Sequence, residues 1–76
     1  MSELEFINIF SDNLRDLMIE REYNQDDLAR ESELTTATIS RLLNKKTMPS
    51  VRALVNLSLA LCCRITDLIP DYDYIH

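Results

Sequence analysis

The sequence predicts an all-α fold: five helices in a single domain spanning residues 1–76. Three observations carry that expectation. The chain has no glycine and only two prolines, whereas β-hairpins rely on glycine in their turns. Apolar residues recur at intervals of three and four rather than in alternation. Ser2, Asn24, Thr35 and Ser50, all residue types that cap helix N-termini, stand just ahead of those periodic stretches.

Ser2-Glu3-Leu4-Glu5 has the form of a capping box, with Glu5 expected to reach back to the backbone N–H of Ser2. Phe6, Phe10, Leu14, Leu17 and Met18 follow at helical spacing and give a first helix over about 3–21. Asn24 caps a short second helix over about 25–32. Asp26 and Asp27 lie in its first turn, where carboxylates meet the positive helix end, and Leu28 and Ala29 face inward. Thr35 caps a third helix, reaching about residue 43, that buries Ile39 and Leu42. Asn44 to Met48 is a polar, basic loop, and Pro49-Ser50 is a stop followed by a new cap. The fourth helix, about 51–62, carries Val51, Leu54, Val55, Leu57, Leu59, Ala60 and Leu61, so it is expected to be nearly covered and the most central. Thr66 is expected to cap a last short helix that Pro70 ends. For the tail, with Tyr72, Tyr74 and Ile75, packing on the domain, packing on a second subunit and fraying all stay open.

Size and composition restrict function. A core this small is marginal, and dimerisation would strengthen it. No run approaches the roughly 18–20 apolar residues of a membrane span, and MSELEF lacks the basic and apolar regions of a signal peptide, so the cytoplasm is the expected compartment. Cys62 and Cys63 are adjacent and make no disulfide framework. With His76 the sole histidine, no zinc set of about four ligands can be assembled, and no cofactor is expected. There is no Ser/His/Asp set and no glycine-rich phosphate loop, and the acids at 12, 16 and 20 recur every four residues as a solvated helix face does. An enzyme is not expected.

The formal charge of −5 conceals a division. Residues 1–33 carry −7. Residues 34–66 contain no acid at all and hold Arg41, Lys45, Lys46, Arg52 and Arg64, and residues 67–76 carry −3. A plain solvated surface would also accommodate a charge run, but the asymmetry suggests one face for a polyanion and another that repels it. Two short helices joined by a three-residue turn inside an all-α domain have the layout of a helix-turn-helix, whose second helix can lie in the major groove of DNA. Here that helix, TTATISRLL, falls inside the acid-free stretch.

The stretch NQDDLARESELTTATISRLLNKKTMPSVRALVNLSLALCCRITDLI resembles the Cro/C1-type, phage-repressor-like helix-turn-helix family, and with Phe10 and Leu14-x-x-Leu17 the likeness covers about residues 10–69. It rests on Gln25 opening the second helix, Leu28-Ala29, the threonine cap at 35, Ile39-Ser40-Arg41, Pro49-Ser50, and Leu57-x-x-Ala60-Leu61 followed by Ile65-x-x-Leu68. If Ile39 and Leu42 anchor the third helix, Thr36, Ala37, Ser40 and Arg41 turn outward. The resemblance implies base contacts at that face and phosphate contacts from Gln25, Asn44, Lys45 and Lys46. Arg52, in the first turn of the fourth helix, joins the phosphate set, and Arg64 receives no role. Arg41 is the strongest candidate for readout, since arginine can pair bidentately with guanine; its alternatives are a phosphate contact or a salt bridge.

The sequence also departs from the family. Glu22, Glu33, Lys45 and Cys62 stand where relatives commonly have glycine; if Glu33 or Cys62 takes left-handed φ it costs about 1 kcal/mol, and otherwise the turn differs. Leu43 stands where relatives often carry a polar residue and is expected to be an exposed apolar contact; Ser32 replaces a usual apolar residue. The implied function is a sequence-specific DNA-binding transcriptional regulator, a repressor that binds palindromic operators as a homodimer. Its dimer contacts would come from the fourth and fifth helices with Leu43 or the tail. The alternative is a protein-interaction module, such as an antitoxin or an anti-repressor. The −7 of the first third and the small Thr36-Ala37 pair favour that alternative, and the acid-free stretch opposes it.

Overall fold

The computed structural model of the chain describes residues 1–70, which form five α-helices and no strand. They are α1 (Glu3–Arg21), α2 (Gln25–Ser32), α3 (Thr36–Leu43), α4 (Val51–Leu61) and α5 (Ile65–Leu68). The expectations for Tyr72, Tyr74 and Ile75 lie outside the described residues.

Local chemistry starts the helices. The side chains of Ser2, Asn24, Thr35 and Ser50 accept from the backbone N–H of Glu5, Asp27, Thr38 and Ala53 respectively. Asn24 and Asp27 complete a reciprocal capping box. At α1 the reciprocal half differs from expectation: the carboxylate of Glu5 accepts from the Ser2 hydroxyl at 3.3 Å, not from its backbone. At α5 the cap position is Arg64 and not Thr66, which lies inside the helix. Its start is held by Asp67, whose carboxylate accepts from the Arg64 backbone N–H at 2.9 Å.

The helices end without glycine. Glu22, Glu33, Lys45 and Cys62 all take left-handed φ, between 53° and 62°. Three of them close the same motif. Tyr23 N–H donates to Met18 and Glu22 N–H to Ile19; Lys46 donates to Arg41 and Lys45 to Leu42; Cys63 donates to Ser58 and Cys62 to Leu59. These bonds offset part of the left-handed cost at each end. Glu33 follows α2 differently, because there the buried Ser32 hydroxyl accepts from Leu34 N–H. A polar side chain therefore stands at a core position because it finishes a turn.

Phe10, Leu14, Leu28, Ile39, Leu42, Leu57, Leu61 and Leu68 are buried together, drawn from all five helices. α2 packs on both α3 and α4, and α1 spans α3, α4 and α5. Ala29 is buried as well, and its small side chain suits the close approach of α2 to its neighbours. Two expectations fail here. Leu43 is buried with Ile39 and Leu42, because at the last turn of α3 it points back onto α1. α4 is not covered all round: Ala53, Leu57, Ser58 and Leu61 face inward, whereas Val51 is 78% exposed, Val55 38% and Leu59 71%. The spacing of those three puts them on one outward stripe.

Glu33→Gly should stabilise the domain by about 0.5–1 kcal/mol, a rise of several degrees in melting temperature, while Glu33→Ala, which keeps a Cβ, should not. Thermal denaturation followed by circular dichroism separates the two, and unchanged stability in the glycine variant would refute a strained left-handed Glu33.

Candidate nucleic-acid interface

α3 supplies the outward face. With Ile39, Leu42 and Leu43 inward, Thr36, Ala37 and Arg41 are exposed, and Ser40 is half-buried. No acid lies in the first turn of α3 or α4, although α1, α2 and α5 each have acids in theirs. The positive ends of these two helices are thus left open to an external anion. Arg41 and Thr38 border a shallow groove of about 290 Å³ with Thr47, Met48, Ser50 and Ala53, so Arg41 lies beside the start of α4. Arg52 is exposed in the first turn of that helix.

Gln25 is exposed at the first position of α2 and borders a second groove, of about 340 Å³, with Arg15, Ile19, Tyr23, Asn24 and Leu43. That groove brings the start of α2 to the end of α3, just before the exposed Asn44, Lys45 and Lys46. The carboxylate of Asp27 is occupied locally: it accepts from Asn24 N–H at 3.1 Å and pairs with Arg30 at 2.9 Å. Asn44 donates its amide to the Ser40 hydroxyl at 3.2 Å, which ties the loop to the exposed side of α3. Lys45 pairs with Asp12 of α1 at 3.1 Å.

The orientation of α3 is set by residues that sequence reasoning did not single out. The buried Ser11 hydroxyl donates to the Leu43 carbonyl at 2.8 Å, and Arg15 donates to the same oxygen at 3.3 Å. The last four carbonyls of a helix have no partner within it, so α1 completes the end of α3. Nothing local signals this, because Ser11 and Leu43 are 32 positions apart. Cys62 is exposed and Cys63 is half-buried, both free thiols. Burial pushes the Cys63 thiol up, aided by the Asp67 carboxylate and opposed by Arg21, which leaves it a poor nucleophile at neutral pH. No group of three or more His, Cys, Asp or Glu among the described residues is placed to hold a metal, and no helix there is long and apolar enough to cross a membrane.

This arrangement offers hydrogen-bond donors and positive charge to an anionic partner. The profile of the Cro/C1-type HTH DNA-binding domain matches residues 13–73 of the sequence, against an expected 10–69. The fold is similar to that of the restriction-modification controller protein C.AhdI from Aeromonas hydrophila, with a TM-score of 0.78 and 22% identity over 82% of this chain and 94% of that one. It is also similar to a hypothetical transcription factor from Neisseria, with a TM-score of 0.83 and 17% identity over 99% of this chain and 86% of that one. At these identities the likeness establishes the fold. No curated protein sequence matches the chain.

Ser11→Ala should destabilise the domain by about 1 kcal/mol, and Ser11→Ala with Arg15→Gln by more, since the Leu43 carbonyl then loses both donors. Urea denaturation measures this; additive small losses of a few tenths each would show that the carbonyl finds water instead.

Proposed function

The chain belongs to the Cro/C1-type helix-turn-helix DNA-binding domain family, and on that premise we propose that it is a transcriptional regulator that inserts α3 into the major groove and represses by covering promoter DNA. The observation that carries this reading is the outward face of α3: Thr36, Ala37 and Arg41 exposed, with no acid in the first turn of α3 or of the adjoining α4. In this reading Arg41 reads a base edge. Thr36 and Ala37, small and exposed, meet a thymine methyl or a water, and Ser40 borders them. Gln25, Asn44, Lys45, Lys46 and Arg52 hold phosphates, and Gln25 does so at the positive end of α2.

The α4 stripe of Val51, Val55 and Leu59 supports a homodimer. An apolar face on so small a domain gains stability when covered, and a twofold pair would place two α3 helices about 34 Å apart on a palindrome. The alternative of a protein-interaction module, such as an antitoxin or an anti-repressor, draws on the same stripe.

In a mobility-shift assay on the DNA upstream of its own gene, Arg41→Ala should relax preference at one base position by about 1–3 kcal/mol. Lys46→Ala should weaken all sequences alike and lower the salt slope by about one. Leu59→Glu should yield monomers in sedimentation and lose tight binding to palindromic sites. A wild-type monomer that gives no salt-sensitive shift on any duplex would sink the regulator reading and favour the interaction module.

A further inference from the structure

The ion pair between Lys45 and Asp12 differs from the others. Among the described residues, Arg21–Glu20 joins sequence neighbours and Arg30–Asp27 joins positions one turn apart within α2. Lys45–Asp12, at 3.1 Å, crosses between elements 33 positions apart and links the acidic first third of the chain to its acid-free stretch. Its side chains are 40% and 65% exposed, so solvent screens it and it contributes little to folding. Nor is it needed to hold α3 on α1, because Ser11 and Arg15 already fasten the Leu43 carbonyl and the buried Leu14, Ile39 and Leu42 form the contact.

What the pair does is occupy a cation. Lys45 stands at a left-handed position, φ 61°, two residues past the end of α3, and its ammonium faces the Asp12 carboxylate. We propose that Asp12 acts as a built-in competitor for phosphate: it holds Lys45 in the DNA-free protein, must release it when the protein docks, and thereby sets DNA affinity below what the basic loop would give alone. Asp12 is a positioning residue in this account, acting through Lys45. The inference rests on the DNA-binding reading above and deepens it.

Salt-titrated binding to one duplex tests it. Asp12→Asn, which keeps the shape and removes the charge, should tighten binding roughly threefold or more at low salt and steepen the dependence of log K on log salt by up to about 0.9. The gain should shrink as salt rises. It should vanish in a Lys45→Gln background, and Asp12→Glu should restore wild-type behaviour. Asp16→Asn makes the same charge change one turn further along the same exposed face of α1, without an ion pair to Lys45, and should give a smaller gain. Equal gains from both variants, an Asp12→Asn gain that survives without Lys45, or no change at all would overturn the proposal while wild-type binding stands. Wild-type protein that binds no duplex would instead overturn the DNA-binding reading beneath it. Thermal unfolding of Asp12→Asn should be nearly unchanged, and a large loss of stability would assign the pair to the fold.

Discussion

Three of the four helices that follow α1 end on a carbonyl that α1 itself satisfies. Ser11 and Arg15 donate to Leu43 at the end of α3, Arg21 donates to Leu61 at the end of α4 at 2.9 Å, and Asn13 donates to Leu68 at the end of α5 at 3.0 Å. Each acceptor is the last residue of its helix. A helix end facing the core without a partner carries the desolvation penalty of its carbonyl, and so these bonds decide where the later helices can stop. They also fix rotation. A hydrophobic core tolerates some sliding of one apolar stripe over another, whereas a hydroxyl aimed at one oxygen at 2.8 Å does not. These bonds act with the buried Ile39, Leu42 and Leu43 to keep Thr36, Ala37 and Arg41 outward.

That arrangement also bears on the missing glycines. Four non-glycine residues in left-handed conformation cost about 1 kcal/mol each, which is large against the roughly 5–10 kcal/mol total stability of a small domain. Two of these turns are held on several sides at once. At Cys62, backbone bonds from Cys62 and Cys63 close the turn while Arg21 takes the adjacent Leu61 carbonyl. At Lys45, two backbone bonds close the turn while Ser11 and Arg15 hold Leu43 two positions earlier.

What was legible in the sequence follows the range of the physics. The boundaries of α1 to α4 could be read because Ser2, Asn24, Thr35 and Ser50 act on N–H groups three residues away. The start of α5 could not, since its cap position is an arginine and the stabilising group is the later Asp67. An α4 rich in apolar residues on every side does not reveal which side is covered, and Val51, Val55 and Leu59 face outward. Leu43 was misplaced by a family pattern, although its phase beside Ile39 and Leu42 already pointed inward. In the candidate interface, the exposure of Thr36, Ala37 and Arg41 could be read from helical phase. The roles of Ser11, Asn13, Arg15 and Arg21 depend on partners 28 to 55 positions distant, and no local pattern records those.

On the proposed reading, this geometry also limits how the protein would choose DNA. The face of α3 offers one long cation, Arg41, beside two small side chains and a half-buried serine tied to Asn44. A helix fastened at its C-terminal end cannot roll to bring other side chains into the groove, so direct readout rests on few atoms. Phosphate contacts from Gln25 before α3 and from the basic loop after it would then fix the register of the duplex. Any base pair that changes groove width or bendability would alter how well all of them fit together. On that reading, selectivity would rest partly on the shape a sequence imposes on its backbone, beside the base contact of Arg41. The rigidity supplied by α1 is what would let that difference in shape be felt as a difference in energy.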